Sequence, residues 1–464
     1  MNVGTTNLSV TMIGHAGLLI EAPGIGLLTD PWLGGRIFDN SWELALPALP
    51  LADFVDRVTH VWISHEHPDH LHWPSLRAIV AARGPAIALL FQEHPSRAVI
   101  DQLGRLGFGA AIELRPGCWH RFGPAALRSL PAGRIDCGLA VRIGDDVIVN
   151  LNDAKLSPSR LRGLRRAIGR PRLIAAQFSI AGWQPPEADR PATKVLDRTI
   201  AAWRALAPAE VLLFASHARF CHPDNAWLNR HALPADRAVD RFAAATGVTP
   251  FCLSPGERWS AAIGAITPHA ATRYAAAATP PALSPPDPLC DAEALCAAAD
   301  AHAATIARVP WWHRRRVPKL VVALRDLACV IAIDLRAGRA GFDPAPACVH
   351  LEMTGAMLLF ACTRRWGFDT LDVAGRYRVL AGTKDHPALR LLSDHGAGRF
   401  SDRLGKGLVS PRLWRRLWAR RADLLAVARK IRRDRAAFDR AIAAPPVGHQ
   451  ASTGDEALQR IDRE

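Results

Sequence analysis

The sequence predicts a layered α/β domain followed by a smaller α+β domain. Residues 1–268 alternate short apolar runs with helical segments, residues 269–289 form an Ala- and Pro-rich linker, and residues 290–464 return to helical and strand-like patterns. A chain of 464 residues is also too long for one ordinary domain and long enough to bury two cores.

The elements follow in order. Residues 10–13, 18–21 and 27–30 are apolar runs separated by Gly-containing turns, which predicts strands. The run 60–63 is another, and a helix over 76–82 comes after it. Strands are predicted at 88–91, 127–130, 139–142, 147–149 and 211–214, with helices over 96–106 and 193–206 between them. Beyond the proline-stiffened stretch 279–288, helices are predicted over 292–307 and 319–337, a β-rich section over 349–380, and a basic helix over 411–435.

In that last helix Leu413, Leu417, Leu424, Ala428 and Ile431 fall near one face, while Arg415, Arg416, Arg420 and Arg429 fall mostly elsewhere. One apolar stripe predicts an ordinary packed helix with a solvated basic face. Trp414 and Trp418 leave contact with a membrane surface open as the weaker reading.

A net charge of +15 suits nucleic acid, anionic lipid or an anionic substrate, and equally a compositional bias toward Arg and Ala. Nucleic acid is disfavoured, because no zinc finger, RNA-stacking motif or clear helix-turn-helix accompanies the charge. The 9 cysteines, an odd number without a C-x-x-C pair, predict reduced thiols. No apolar stretch reaches the roughly 18–20 residues of a spanning helix. The first residues lack the pattern of a signal peptide, so a cytoplasmic protein is expected.

The chemistry concentrates in Ser64-His65-Glu66-His67-Pro68-Asp69-His70, directly after the apolar run 60–63. With 18 histidines in the chain some pairs arise by accident, but a four-ligand cluster at a strand-to-loop junction is a normal setting for a site. His65 and His67, at alternate positions, can face one ion, and Asp69 and His70 a second. Two imidazoles leave an ion incompletely coordinated, so other segments must contribute. Asp153 ends the apolar run that starts at Val147, where it could bridge two ions or cap a helix.

Several stretches in this order resemble the metallo-β-lactamase superfamily, and within it the metallo-β-lactamase-like portion of the CMP-N-acetylneuraminate hydroxylases. They are Thr29-Asp30-Pro31-Trp32-Leu33-Gly34-Gly35, the segment from Trp62 to Leu71, Ile135-Asp136, Asn150-Leu151-Asn152-Asp153, Ala176-Gln177-Phe178-Ser179, and Phe214-Ala215 followed by His222-Pro223. They cover roughly the first half of the chain. The resemblance implies a four-layer αββα sandwich with His65 and His67 on one metal, Asp69 and His70 on another, and Asp153 between them. It implies His222 as the remaining ligand of the second ion, with His217 as runner-up. Where most superfamily hydrolases supply a third histidine to the first ion, this chain offers Asp136, with His120 a weaker substitute. A carboxylate there favours iron or manganese over zinc. His15 and Asp30 match positions behind the ligands or on the pocket wall, where Asp30 would accept the free ring N–H of a ligand histidine.

One or two divalent ions, zinc or iron with manganese also compatible, are therefore expected. The implied function is a metal-dependent hydrolase in which a metal-bound hydroxide attacks an ester, phosphodiester, lactone or amide of a small-molecule substrate, an anionic one being compatible, with Asp69 and Asp153 as the catalytic carboxylates. One alternative is an oxygen-activating hydroxylase component fed by a separate Rieske or ferredoxin partner. The sialic-acid hydroxylases carry a Rieske domain with Cys-x-His and Cys-x-x-His ligand pairs, whereas Cys221-His222 and Cys348-Val349-His350 are isolated here. The other alternative is a non-catalytic binding protein stabilised by metal.

Overall fold

The computed structural model describes residues 7–133, 135–185, 191–265, 270–276, 282–307, 309, 311–364, 366–381, 386–395, 411–425 and 428–429. Strands β1 (Ser9–Gly14), β2 (Gly17–Ala22) and β3 (Ile25–Thr29) form an antiparallel meander. After the short β4 (Trp42–Leu44), β5 (His60–Ile63), β6 (Ala88–Gln92) and β7 (Ala110–Leu114) extend that sheet in parallel, with α1 (Trp73–Arg83) and α2 (Ala98–Leu103) as crossovers. A second sheet begins with the antiparallel β8 (His120–Phe122), β9 (Ala125–Pro131), β10 (Cys137–Ile143) and β11 (Asp146–Asn152). It continues in parallel through α3 (Pro158–Ile168), β12 (Leu173–Ala176), α4 (Pro191–Leu206) and β13 (Glu210–Leu213). Then β14 (Ala218–Phe220) pairs with β4, and after α5 (Ala235–Thr246) strands β15 (Arg258–Ser260) and β16 (Gly264–Ala265) return to the first sheet beside β1, ahead of α6 (Ala270–Ala276).

The two sheets hold 8 and 6 strands. Side-chain alternation with period two makes the layers. Met12, Leu18, Trp62 and Leu90 of the first sheet meet Leu139, Ile148, Leu173 and Leu212 of the second in one buried cluster. The alternate residues face outward: Leu19, Val61, Ile63 and Leu89 onto α1 and α2, and Val147, Val149, Ile174 and Val211 onto α3, α4 and α5. Strands buried on both faces read as continuous apolar runs, which is how they stand in the sequence. The result is the expected αββα sandwich of metallo-β-lactamase type.

The C-terminal structure is α+β. Helices α7 (Ala292–Ile306) and α8 (Trp311–Arg314) lead into β17 (Leu320–Leu324), β18 (Cys329–Asp334), β19 (Arg339–Phe342) and β20 (Leu351–Met353). Helices α9 (Gly355–Thr363) and α10 (Gly367–Ala374), strand β21 (Arg378–Val379), and helices α11 (Pro387–His395) and α12 (Pro411–Ala419) follow. The strands make one 5-stranded sheet in the order β19-β18-β17-β20-β21. Residues up to Arg420 form one compact unit.

Two expectations are corrected here. Residues 319–337 are not a helix but the hairpin β17–β18, because Val321, Val322, Val330, Ile331 and Ile333 are β-branched and Ala328 takes a left-handed turn at φ 50°. Residues 349–380 are mostly helical instead of β-rich: Gly355–Thr363 is built of Ala, Met and Leu, and the Thr354 hydroxyl accepts from Met357 N–H at the N-cap.

The basic helix is also corrected in its surroundings. On α12, Arg412 donates to Glu113 at 2.8 Å and Arg415 to Glu93 at 3.0 Å, both on or beside β7. Arg416 is buried and donates to Gln92 Oε1 and to the Ala132 carbonyl. At Arg412, Arg415 and Arg416 the basic face is seated on acidic and carbonyl groups, not solvated, while Arg429 is exposed. Trp414 and Trp418 are exposed. Most of the predicted helix beyond residue 425 lies outside the described residues. Among the described residues, no helix is long and apolar enough to cross a membrane.

Candidate metal centre

Strand direction brings the ligand-bearing loops together. β1, β3, β5 and β6 point one way in the first sheet, as β11, β12 and β13 do in the second, so in each sheet their C-terminal ends share an edge. β10 is antiparallel to β11, which puts the loop 132–136 on the same edge. Ala215 N–H donates to the His15 carbonyl at 3.0 Å and ties the two edges into one rim. His15, Asp30, the 64–70 cassette, Asp136 and Asp153 all lie on loops of that rim.

The backbone is strained there. His15 (φ 27°), Asp30 (φ 41°), Asn152 (φ 40°) and Ala215 (φ 52°) are left-handed although none is glycine. Such residues cost about 1–3 kcal/mol each and persist only where their surroundings enforce them. Asp30 N–H is held by the Trp62 carbonyl, and the Asn152 carbonyl by Gln177 N–H, each at 3.0 Å.

Side-chain partners then aim the imidazoles. His70 Nδ1 donates to Asp30 Oδ2 at 2.9 Å, and the other Asp30 oxygen accepts from Ser64 N–H at 2.8 Å. His65 Nδ1 lies 2.9 Å from the Ser64 hydroxyl. Both rings therefore turn Nε2 toward the rim. His67 is reversed: its Nδ1 is 2.8 Å from His65 Nε2, and its Nε2 is 3.4 Å from Asp369 Oδ2 on α10.

Two groups of ligand atoms result, His65 with His67 and Asp153, and His15 with Asp69 and His70; within each the atoms lie within 4.8 Å of one another. Asp153 Oδ2 is 3.7 Å from His65 Nε2 and 3.9 Å from His70 Nε2, so it faces both. Asp69 Oδ2 is 3.3 Å from His70 Nε2 and 3.4 Å from His15 Nε2. The buried atoms His15 Nε2, Asp69 Oδ1 and Asp153 Oδ1 have no hydrogen-bond partner among the described residues. Buried carboxylate oxygens left so are costly unless a cation meets them, and imidazole with carboxylate is a donor set for a divalent transition metal.

The titration behaviour reflects the crowding of opposite charges. Burial works against the His70 cation, yet Asp69 and Asp30 outweigh it and raise the ring well above the usual imidazole range. Burial likewise opposes His67, but the Asp369 hydrogen bond and the charges of Asp369, Asp69 and Asp136 raise it to about 9. Burial drives His65 the other way, well below that range. Against burial, His70 and His15 hold Asp69 well below the usual carboxylate range, and His65 and His70 lower Asp153. Burial and the nearby Asp153 charge push Asp136 up to about 6.

His222 joins neither group. Its Nδ1 is 3.5 Å from Asp224 Oδ2 and its Nε2 is 3.5 Å from Asp287 Oδ1. After β13 the chain leaves the rim through β14, which pairs with β4 and carries His222 away. The three residues have the spacing of metal ligands, but the buried Arg376 guanidinium already meets Asp39 at 3.0 Å and Asp224 at 3.6 Å and pairs with Asp287. The carboxylates around His222 are thus ion-paired with Arg376, and this cluster stands apart from the two groups on the rim. His217 stacks on Tyr274 with ring centroids 3.7 Å apart, and burial, then His15, lowers it to about 3. His120 accepts from Arg115 N–H at 2.8 Å on an exposed turn, outside both groups. Asp369 was not legible in the sequence as a site residue, because only tertiary packing brings α10 to the rim.

Residues 9–117 match the family described as Beta-lactamase superfamily domain. A curated protein of Mycobacterium tuberculosis, named "Putative Rieske 2Fe-2S iron-sulfur protein", is 33% identical over 202 residues, which cover 40% of this chain and 37% of that protein. The CMP-N-acetylneuraminic acid hydroxylase of Danio rerio is 35% identical over 118 residues, 24% of this chain and 19% of the hydroxylase. The chain thus spans well under two thirds of the length of these relatives. Among solved structures, a possible metal-dependent hydrolase from Veillonella parvula aligns with a TM-score of 0.43 at 15% identity over 55% of this chain and 99% of that one. CmlA, a diiron β-hydroxylase from Streptomyces venezuelae, aligns with a TM-score of 0.41 at 18% identity over 55% and 53%. The chain carries a metallo-β-lactamase superfamily domain with distant sequence similarity to CMP-N-acetylneuraminic acid hydroxylases.

Proposed function

We propose that this chain is a metal-dependent hydrolase whose ligands are His65, His67 and Asp153 in one group and His15, Asp69 and His70 in the other. The observation that carries the reading is the convergence of the two groups on one strained rim, with Asp153 facing both. One or two divalent ions bound there, zinc, iron or manganese, would supply a water nucleophile near neutral pH and polarise the scissile group. Asp69 and Asp153 orient the attacking water and take up its proton, each through a buried carboxylate oxygen that no protein donor occupies among the described residues. Asp136 adds negative charge beside His67.

Beside His15 a recess is lined by Trp42, Ile180, Ser216, Arg219 and Phe220. The Arg219 guanidinium there is already paired with Glu43 at 2.8 Å, so the substrate class, an ester, phosphodiester, lactone or amide, rests on the metal-bound nucleophile and not on this recess. The division into residues 1–268, a linker 269–289 and residues 290–464 is part of the same proposal, with α10 of the later part beside the site through Asp369.

The test is elemental analysis of protein purified without added metal, joined to turnover of nitrophenyl esters, bis-nitrophenyl phosphate and simple lactones. Stoichiometric metal is expected, with a loss of at least about 100-fold in turnover for His67→Ala. Metal-free wild-type protein, or His67→Ala with full metal and full activity, would sink the reading.

A second reading has its own support. Each group holds two imidazoles and one carboxylate, a donor pattern of non-haem iron centres with open positions, and the relatives include proteins named for a Rieske centre and for hydroxylation. On this reading the chain is an oxygen-activating component that receives electrons from a separate Rieske or ferredoxin partner. Bound iron with oxygen uptake in the presence of such a reductant supports it. Zinc as the native metal, with no oxygen uptake, removes it.

A further inference from the structure

His67 is the one histidine of the cassette whose outward nitrogen is met from outside the αββα sandwich. His65 is backed by Ser64 and His70 by Asp30, both from the first sheet's own rim. The Nε2 of His67 instead faces Asp369 Oδ2 at 3.4 Å, in the first turn of α10. Ligand histidines are commonly held by a carboxylate on the ring nitrogen that does not bind the metal, which fixes tautomer and orientation.

The seat of Asp369 is itself built. Ser393 on α11 donates to Asp369 Oδ1 at 3.3 Å. The far end of α10 is gripped by the sandwich: Asn225 Nδ2 donates to the Ala374 carbonyl at 2.7 Å and Trp183 N–H to the Asp372 carbonyl at 2.9 Å. The Trp183 indole lies flat on Tyr377, with centroids 5.3 Å apart and planes at 11°, and donates to the Tyr377 carbonyl at 2.9 Å. Just past the helix, buried Arg376 holds the Asp39 carboxylate at 3.0 Å. Phe38, next to Asp39, has its ring 6.3 Å from that of His67. Helix α10 therefore reaches His67 both directly, through Asp369, and through the loop that carries Phe38.

We propose that Asp369 is a positioning residue for the metal centre: it holds the Nε2–H of His67, so that Nδ1 is presented beside His65 Nε2, and thereby makes the C-terminal structure part of the site. This rests on the metal-centre reading above. It assigns the α+β part a role in metal retention that the sandwich alone does not supply.

The full chain, Asp369→Ala, Asp369→Asn and Ser393→Ala are compared by competition for zinc against a chromophoric chelator and by the visible spectrum of the cobalt-loaded protein. Asp369→Ala is expected to weaken metal binding by roughly 10–100-fold and to alter the cobalt bands, while Asp369→Asn, which still offers a carbonyl to Nε2–H, loses less. Ser393→Ala should lie between wild type and Asp369→Ala. Thermal melts of the metal-free proteins separate this from misfolding, and if Asp369→Ala does not fold, Asp369→Asn and Ser393→Ala carry the comparison. Wild-type protein that binds metal, with folded variants matching its affinity and cobalt spectrum, overturns the role of Asp369 alone. Wild-type protein that takes up no metal overturns the metal centre and this inference together.

Discussion

His15 and His222 each lie among carboxylates, but in separate clusters. His222 follows a strand, lies in Cys221-His222-Pro223-Asp224 and resembles a late ligand, yet Asp224, Asp287 and Arg376 enclose it in an ion-paired clamp. His15 sits in a Gly14-His15-Ala16 turn and reads as lying behind the ligands or on the pocket wall, and its Nε2 is 3.4 Å from Asp69. The local sequence shows that a turn follows each strand, but not which way the next short strand carries the chain. His15→Ala is expected to lower the metal content of the second group, by elemental analysis. His222→Ala should leave metal content unchanged while lowering stability by roughly 1–3 kcal/mol, because Asp224 and Asp287 lose a buried partner. Loss of metal in the His222 variant with none in the His15 variant would reverse the assignment.

At the scale of elements, β1, β2, β3, β5, β6, β9, β10, β11 and β13 were legible because each holds a short, bounded, apolar run, whereas β7, β8 and β12 were not predicted; long helices such as Ala292–Ile306 were legible because they carry a clear cap and good helix formers. The hairpin β17–β18 was not, since its two runs are joined by only Arg325, Asp326, Leu327 and Ala328 and read together as one helical stretch. Close packing also sets limits that no periodicity reveals. A methyl group on Gly26 would stand 1.8 Å from the Arg57 carbonyl oxygen, where β3 meets the segment leading to β5. Gly26→Ala is expected to cost about 1–3 kcal/mol or more in denaturant unfolding, through forced backbone movement. Thr354→Ala, which removes the N-cap of α9, should cost about 0.5–2 kcal/mol. Arg416→Leu leaves Gln92 Oε1 and the Ala132 carbonyl without their donor, at roughly 1–3 kcal/mol, and should speed proteolysis at α12.

For the whole molecule, the charge arrangement links metal, stability and the C-terminal part. Asp69, Asp153 and Asp136 share a buried rim with four imidazoles, and a cation bound there would offset carboxylates that otherwise face one another. A ligand that binds only the folded chain stabilises it by about 2.7 kcal/mol at a free concentration 100 times its dissociation constant. Chelation is therefore expected to lower the melting temperature, and zinc, iron or manganese to restore it; an unchanged melt would count against a resident ion. The cassette from His65 to His70, Asp153 and a layered α/β class were legible in the sequence itself, because ligand spacing and short apolar runs are local properties of a chain, and the αββα arrangement was implied by the resemblance to a known superfamily. The gathering of His15 with Asp69 and His70, the ion pairs around Arg376 and the approach of Asp369 to His67 were decided only by the tertiary structure. Residues hundreds of positions apart meet through the packing of whole elements, and no local pattern records which loops end on the same rim.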